Sequence, residues 1–139
     1  MNILIVDDTA DIREFLSTAF EVNNHHVVVA EDGMQALEAA QLLQFDAVIM
    51  DIAMPTLDGW QATQRLRRML GYATVPIILL TGHAHLYEAD KGKEAGATLL
   101  LHKPVDALML VEMTEGLVEV ENSSDSQGTE IRNNSLEGT

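Results

Sequence analysis

The sequence predicts an α/β fold, a doubly wound parallel sheet of five strands with five flanking helices. Three observations carry that expectation. Short apolar runs of strand length recur five times along the chain. Each run is continuous rather than alternating, the pattern of a strand covered on both faces. Between and after the runs lie stretches whose apolar residues recur at helical spacing.

Ile3–Val6 is the first run. After Asp8 and Thr9, the residues Ile12, Phe15, Leu16, Ala19 and Phe20 fall at i, i+3, i+4, i+7 and i+8, one stripe of a first helix. Val27–Ala30 follows, then a helix over 33–43 with Ala36, Leu37, Ala40 and Leu43 on its stripe. Ala47–Met50 is the third run. The helix after it opens near Gly59, with Trp60, Thr63, Leu66 and Leu70 inward and Arg65, Arg67 and Arg68 as a solvated flank. Ile77–Leu80 is the fourth run. A thin stripe of Leu86, Ala89 and Lys93 marks a helix over 85–95, weakened by Gly92 and ended by Gly96 as a left-handed cap. Leu99–Leu101 is the fifth. The last helix begins after Pro104 and runs to about Val120, and its Leu108, Met109, Leu110, Val111, Met113 and Leu117 reach more than halfway round. Crossovers between parallel strands are expected to be right-handed.

The folded domain is expected over residues 1–121. Residues 122–139 are rich in Ser, Asn, Gly and acidic residues, with Ile131 and Leu136 as their bulky aliphatics. Such a stretch buries too little to offset its ordering entropy and predicts a disordered tail or linker. The 139 residues carry 22 acidic and 8 basic side chains, a formal charge of −14. That charge repels phosphate backbones and anionic bilayers, which argues against direct nucleic-acid or membrane binding. No apolar run approaches the ~18 residues of a span, and the start has no basic leader. Cysteine is absent, which excludes disulfides and thiolate chemistry and fits a cytoplasmic location.

In doubly wound folds the ligand site lies outside the carboxyl ends of the strands. The first run ends in Asp7-Asp8, the third in Asp51, the fourth in Thr81 and the fifth in His102-Lys103-Pro104. Three carboxylates, a hydroxyl and an ammonium thus gather at one rim. Carboxylates packed together repel, and Lys103 offsets only one charge. An oxygen-only donor set points to a hard cation such as Mg²⁺, held through one or two carboxylates and a phosphate. A dication, a lysine and a hydroxyl around a carboxylate suit phosphoryl transfer, with Asp51, alone at the end of the central strand, as the nucleophile. Taken singly, each residue has a plainer reading. Asp7 or Asp8 is a favoured N-cap type, Asp51 a loop residue, Thr81 a strand end, and Lys103 a solvated lysine. Their coincidence at one end of different strands favours the site.

The signatures Ile3-Leu4-Ile5-Val6-Asp7-Asp8, Asp51-Ile52-Ala53-Met54-Pro55-Thr56-Leu57-Asp58-Gly59, Ile78-Leu79-Leu80-Thr81-Gly82 and Lys103-Pro104 resemble the receiver domain of bacterial two-component response regulators, the CheY-like superfamily, over about residues 2–120. The resemblance implies a flavodoxin-like sheet in the order 2-1-3-4-5. It implies that Asp51 accepts a phosphoryl group from a histidine kinase or phosphotransfer protein. It implies Mg²⁺ held by Asp8 and Asp51 directly, by Asp7 through water and by the backbone carbonyl of Ala53. Thr81 would bond a phosphoryl oxygen and move, Lys103 would pair with the phosphate, and the Lys103-Pro104 bond would be cis.

Two positions depart from the family pattern. Leu100 stands three residues before the lysine, where Tyr or Phe is common, so the switch would work through Thr81 and an aliphatic Leu100. Gly82 replaces the usual Ala. Ala53 and His83 flank the expected path of water to the phosphoryl group. Leu100 and the apolar fifth helix together suggest a face on the strand 5 side that docks a downstream protein or a second copy of the chain. The expected role is a phosphorylation-switched signalling module rather than an enzyme turning over an external substrate. Two alternatives stand beside it. A receiver-like docking scaffold would never be phosphorylated. A phosphohydrolase with an aspartyl-phosphate intermediate would want an acid-base Asp where Ala53 stands.

Overall fold

The computed structural model describes residues 1–82, 91 and 93–137, with side chains through residue 123. The element order is β1 (Asn2–Val6), α1 (Ala10–Val22), β2 (His26–Ala30), α2 (Gly33–Leu42), β3 (Ala47–Asp51), α3 (Gly59–Arg68), β4 (Ile77–Thr81), α4 (described at 91 and 93–95), β5 (Leu99–His102) and α5 (Ala107–Glu137). The strands form one sheet in the order β2-β1-β3-β4-β5, and every neighbouring pair is parallel. No helix among the described residues is long and apolar enough to cross a membrane.

The continuous apolar runs have a simple cause. Leu4 and Val6, Val48 and Met50, and Ile77 and Leu79 point to one face, where Ala36 and Ala40 of α2 and Ala62 and Leu66 of α3 cover them. Ile3 and Ile5, Ala47 and Ile49, and Ile78 and Leu80 point to the other, under Leu16 and Phe20 of α1 and Leu110 and Val111 of α5. Alternate residues of a strand therefore serve two separate cores, and neither set can be polar. β3, like β4, is buried along its whole length, which fixes Asp51 at the end of an enclosed strand.

The starts of α2, α3 and α5 are set by acidic caps. Asp32 accepts from the Gln35 amide at 2.8 Å, and Asp106 accepts from the Met109 amide at 2.9 Å. Asp58 and Gln61 form a reciprocal capping box at α3.

Three sequence expectations need adjustment, and one lies largely outside the described residues. The helix expected over 85–95 falls largely outside the described residues, as do Leu86, Ala89 and Gly92; its described end does stop at Ala95, before Gly96 at φ 96°. Leu70 is 99% exposed, because α3 ends at Arg68 and the chain turns through Gly71 at φ 89° before the stripe reaches it. Arg67 is no solvated flank residue but a half-buried staple: it stands four residues after buried Thr63, at the margin of the inward stripe. Helix α5 continues past Val120 to Glu137, whereas the composition predicts an irregular tail from residue 122. Once a helix is nucleated, each added residue gains a backbone bond, which can extend a helix into a stretch of low propensity.

Candidate functional site

Parallel register brings the strand ends to one rim. Val6 pairs with Met50, Asp51 with Leu80, and Thr81 with His102, so the residues just past β1, β3, β4 and β5 stand side by side. Asp7 and Asp51 are buried there and Asp8 is exposed. One carboxylate oxygen from each of the three lies within 4.8 Å of the others.

Asp7 is fixed at four points. Its amide donates to the Ala30 carbonyl at 3.2 Å, and its own carbonyl accepts from Nη1 of Arg13 at 2.7 Å. Its Oδ1 accepts from the Thr9 amide at 2.9 Å, and Oδ2 from Nζ of Lys103 at 3.1 Å. This answers the plainer reading of Asp7 and Asp8. Thr9 occupies the cap position of α1 and makes no side-chain cap bond, while Asp7 commits its second oxygen to a lysine 96 residues away. Lys103 also stands 3.5 Å from Oδ1 of Asp51, which in turn lies 3.4 Å from the Ala53 amide. The Lys103-Pro104 peptide is cis.

Burial pushes the Asp51 carboxyl above the ordinary carboxylate range, and the Asp7 charge pushes it further. Lys103 and the Ala53 amide pull it back without cancelling the rise. One ammonium is thus shared between two buried carboxylates, with a third exposed beside them. The donor set is all oxygen, its compensation is incomplete, and Asp8 faces solvent. A hard divalent cation fits it, whereas a soft one would find neither thiolate nor imidazole in the cluster.

The loop after Asp51 is held from both ends. Gly59 opens α3 against the backbone of β3: a Cβ there would stand 2.6 Å from the Asp51 carbonyl oxygen and 2.8 Å from Cα of Ile52. The requirement for Gly59 is therefore close approach. At the other side Leu57 is buried against Gly33 of α2, where a Cβ would meet the Leu57 carbonyl at 2.6 Å. Between them Thr56 has φ 69°, and the Leu57 amide donates to the Pro55 carbonyl at 2.7 Å. This is a γ-turn with a β-branched residue at its centre, a strained arrangement.

Thr81 is buried at the end of β4, and its carbonyl accepts the Lys103 amide at 2.7 Å. Leu100 is half-buried on β5 and packs with the core on the α2–α3 face, away from the rim. His102, the last residue of β5, is exposed. His83 and the loop after Gly82 lie outside the described residues. On α5, Leu110 and Val111 are buried while Leu108 and Met109 are exposed, so the apolar residues do wrap beyond one packed stripe. Sequence reasoning overlooked Arg13 and Thr56. Arg13 carried a usable signal, because it falls next to Ile12 on the border of the inward stripe of α1.

Comparison with known proteins agrees with this geometry. The pattern of the response regulator receiver domain matches residues 3–115. The DNA-binding dual master transcriptional regulator RpaA of Synechocystis is 32% identical over 116 residues, which cover 84% of this chain and 48% of RpaA. The chain thus spans about half the length of that relative. The protein PilH of Pseudomonas aeruginosa is 38% identical over 112 residues, covering 79% of this chain and 91% of PilH. The receiver domain of the sensor histidine kinase PA1611 from the same species superposes with a TM-score of 0.78 at 29% identity, covering 85% of this chain and 97% of that domain. Its crystal structure has a magnesium ion coordinated in the active-site cleft.

Proposed function

Because the chain belongs to the response regulator receiver domain family, the signalling modules of two-component systems, we propose that it is a phosphoacceptor, phosphorylated on Asp51 with Mg²⁺ and switching a protein-docking face. One observation carries the reading: the buried Asp51 carboxylate, raised in proton affinity, lies 3.5 Å from Lys103 and within 4.8 Å of the Asp7 and Asp8 oxygens. Such a carboxylate is held close to a cation-binding edge yet left electrostatically incomplete.

Asp51 attacks phosphorus as the bond to the donor's imidazole nitrogen breaks, giving an acyl phosphate and a free donor histidine. Lys103 turns from its carboxylate pair toward the new phosphoryl oxygens, and Thr81 donates a hydrogen bond to one of them. Asp8, Asp51 and the Ala53 carbonyl would hold Mg²⁺, with Asp7 supporting the site, and the ion would supply the remaining positive charge. The donor is a histidine kinase or a phosphotransfer protein. The readout passes through Thr81 and Leu100 to the strand 5 side, where exposed Leu108 and Met109 offer an apolar surface to a downstream protein or a second copy. The setting is cytoplasmic, and the folded receiver occupies residues 1–121.

Trp60 is the natural reporter, since it is the second residue of α3 and follows Gly59, which abuts Asp51. Fluoroberyllate, a phosphoryl mimic, is expected to give a saturable, Mg²⁺-dependent change in Trp60 fluorescence that Asp51→Asn abolishes. A flat signal would favour a docking scaffold. Turnover of a small phosphate ester would favour a hydrolase.

A further inference from the structure

We propose that Arg13 is a positioning residue for the cation site, acting through the backbone of Asp7 rather than through its own charge. The inference rests on the receiver reading and adds a residue that the acidic constellation does not contain. The Arg13 side chain is 16% exposed, and its Nη1 donates to the Asp7 carbonyl oxygen at 2.7 Å. That carbonyl belongs to the peptide joining Asp7 to Asp8, so the bond fixes the plane from which Asp8 departs. Asp8 needs such support. Asp7 has partners on its amide, its carbonyl and both carboxylate oxygens, whereas Asp8 is exposed at the mouth of the site. Arg13 also faces the β2–α2 loop, where a Glu31 carboxylate oxygen lies 3.8 Å from Nη2 and the Glu31 amide donates to Oε1 of Gln35 at 2.9 Å. The guanidinium thus ties α1, the Asp7-Asp8 turn and the entry to α2 together beneath a cluster of carboxylates. Groups that orient a metal's direct ligands commonly change affinity by about 10–100-fold when removed.

The sign of the effect separates positioning from simple electrostatics. A nearby cation repels Mg²⁺, so deleting Arg13 for its charge alone tightens binding. Deleting it as a positioning residue loosens binding. The experiment is Mg²⁺ titration of the wild-type chain, Arg13→Met and Arg13→Lys, followed by Trp60 fluorescence, with thermal melts in the absence of metal as a check on folding. Arg13→Met is expected to weaken Mg²⁺ binding about tenfold. Arg13→Lys, which keeps the charge but offers a different donor geometry, is expected to weaken it about threefold. Unchanged or tighter binding by Arg13→Met overturns the proposal. Should Arg13→Met fail to fold, the Lys variant decides on the same terms: weaker binding supports it and wild-type affinity overturns it. A wild-type chain that binds no Mg²⁺ refutes the Mg²⁺-dependent phosphoacceptor reading instead, which the wild-type titration reveals by itself.

Discussion

The two ends of the sheet handle buried polarity in opposite ways. At the carboxyl ends of the strands, two buried carboxylates share the Lys103 ammonium and a third, exposed one stands beside them. At the amino ends, one guanidinium is tied to three carbonyls and a hydroxyl. Arg67 donates through Nε to the Gly96 carbonyl at 2.8 Å and through Nη1 to the Tyr72 and Val75 carbonyls at 3.0 and 2.6 Å. Its Nη2 reaches Oγ1 of Thr98 at 3.1 Å, an oxygen that also accepts the Ile77 amide. The Tyr72 hydroxyl completes the closure, donating to the Leu43 carbonyl and accepting the Phe45 amide. Complete pairing makes a scaffold rigid and inert. Incomplete pairing leaves interaction energy available to a ligand. The end of the sheet that is left unbalanced is the end that can respond to a cation or a phosphoryl group.

Removing Arg67 tests the scaffold half of this contrast and carries the largest expected effect. Arg67→Met keeps much of the aliphatic stem but leaves three carbonyls and the Thr98 hydroxyl short of a donor. The expected cost is about 3 kcal/mol of unfolding free energy, measured by urea denaturation followed by circular dichroism. Mg²⁺ affinity should stay within about twofold, as for distant sites that share no partner. A large change in Mg²⁺ affinity would show the two ends to be coupled and the contrast to be false.

Asp51→Asn tests the responsive half, and its sign is opposite. The folded state holds the Asp51 proton more strongly than the unfolded chain does, because burial and Asp7 raise its pKa. Stability is therefore lost as pH rises from the ordinary carboxylate range through the raised folded value, and above it the ionised group is a net burden. At neutral pH Asp51→Asn is expected to stabilise the metal-free protein by on the order of 1 kcal/mol. The gain should shrink as pH falls and wild-type Asp51 takes up its proton. A destabilised variant at neutral pH would mean that Lys103 overcompensates the site.

The same contrast explains what could be read in advance. Strand positions were legible because both cores impose continuous apolar runs, as in Val48, Ile49 and Met50, whereas the sheet order came from the family resemblance and the helix faces were legible only in part, Leu70, Phe15 and Leu43 being exposed. The site residues were legible because the topology demands chemistry at strand ends, and Asp7, Asp8, Asp51, Thr81 and Lys103 fall there. The supporting residues were harder to see. An arginine on α3 or α1 looks alike in sequence whether it is solvated or bonded to carbonyls. Arg67 meets its acceptors only because α3 ends beside the turns leading into β4 and β5, and Arg13 meets Asp7 only through the bend between β1 and α1. Backbone carbonyls leave no trace in a sequence, so a place at the border of an inward stripe, as for Arg13, flags a donor without naming its acceptor.

The smallest expected effect concerns strain beside the responsive end. Thr56 adopts φ 69° at the centre of a γ-turn, four residues before Trp60 and five after Asp51. A left-handed conformation costs a side-chain-bearing residue roughly 1–2 kcal/mol, while glycine adopts it freely but brings about 0.5–1 kcal/mol of extra unfolded-state entropy. Thr56→Gly should therefore stabilise the protein by less than about 1 kcal/mol, a Tm rise of roughly 2–4 °C by calorimetry. The turn is clamped by Leu57 against Gly33 and by the Asp58–Gln61 box, so relaxing its middle residue leaves Asp51 and Ala53 where they are. The Trp60 response to Mg²⁺ and fluoroberyllate should accordingly survive. A variant that gained stability but lost that response would show that the strained turn, and not only the uncompensated carboxylates, keeps this end of the sheet poised.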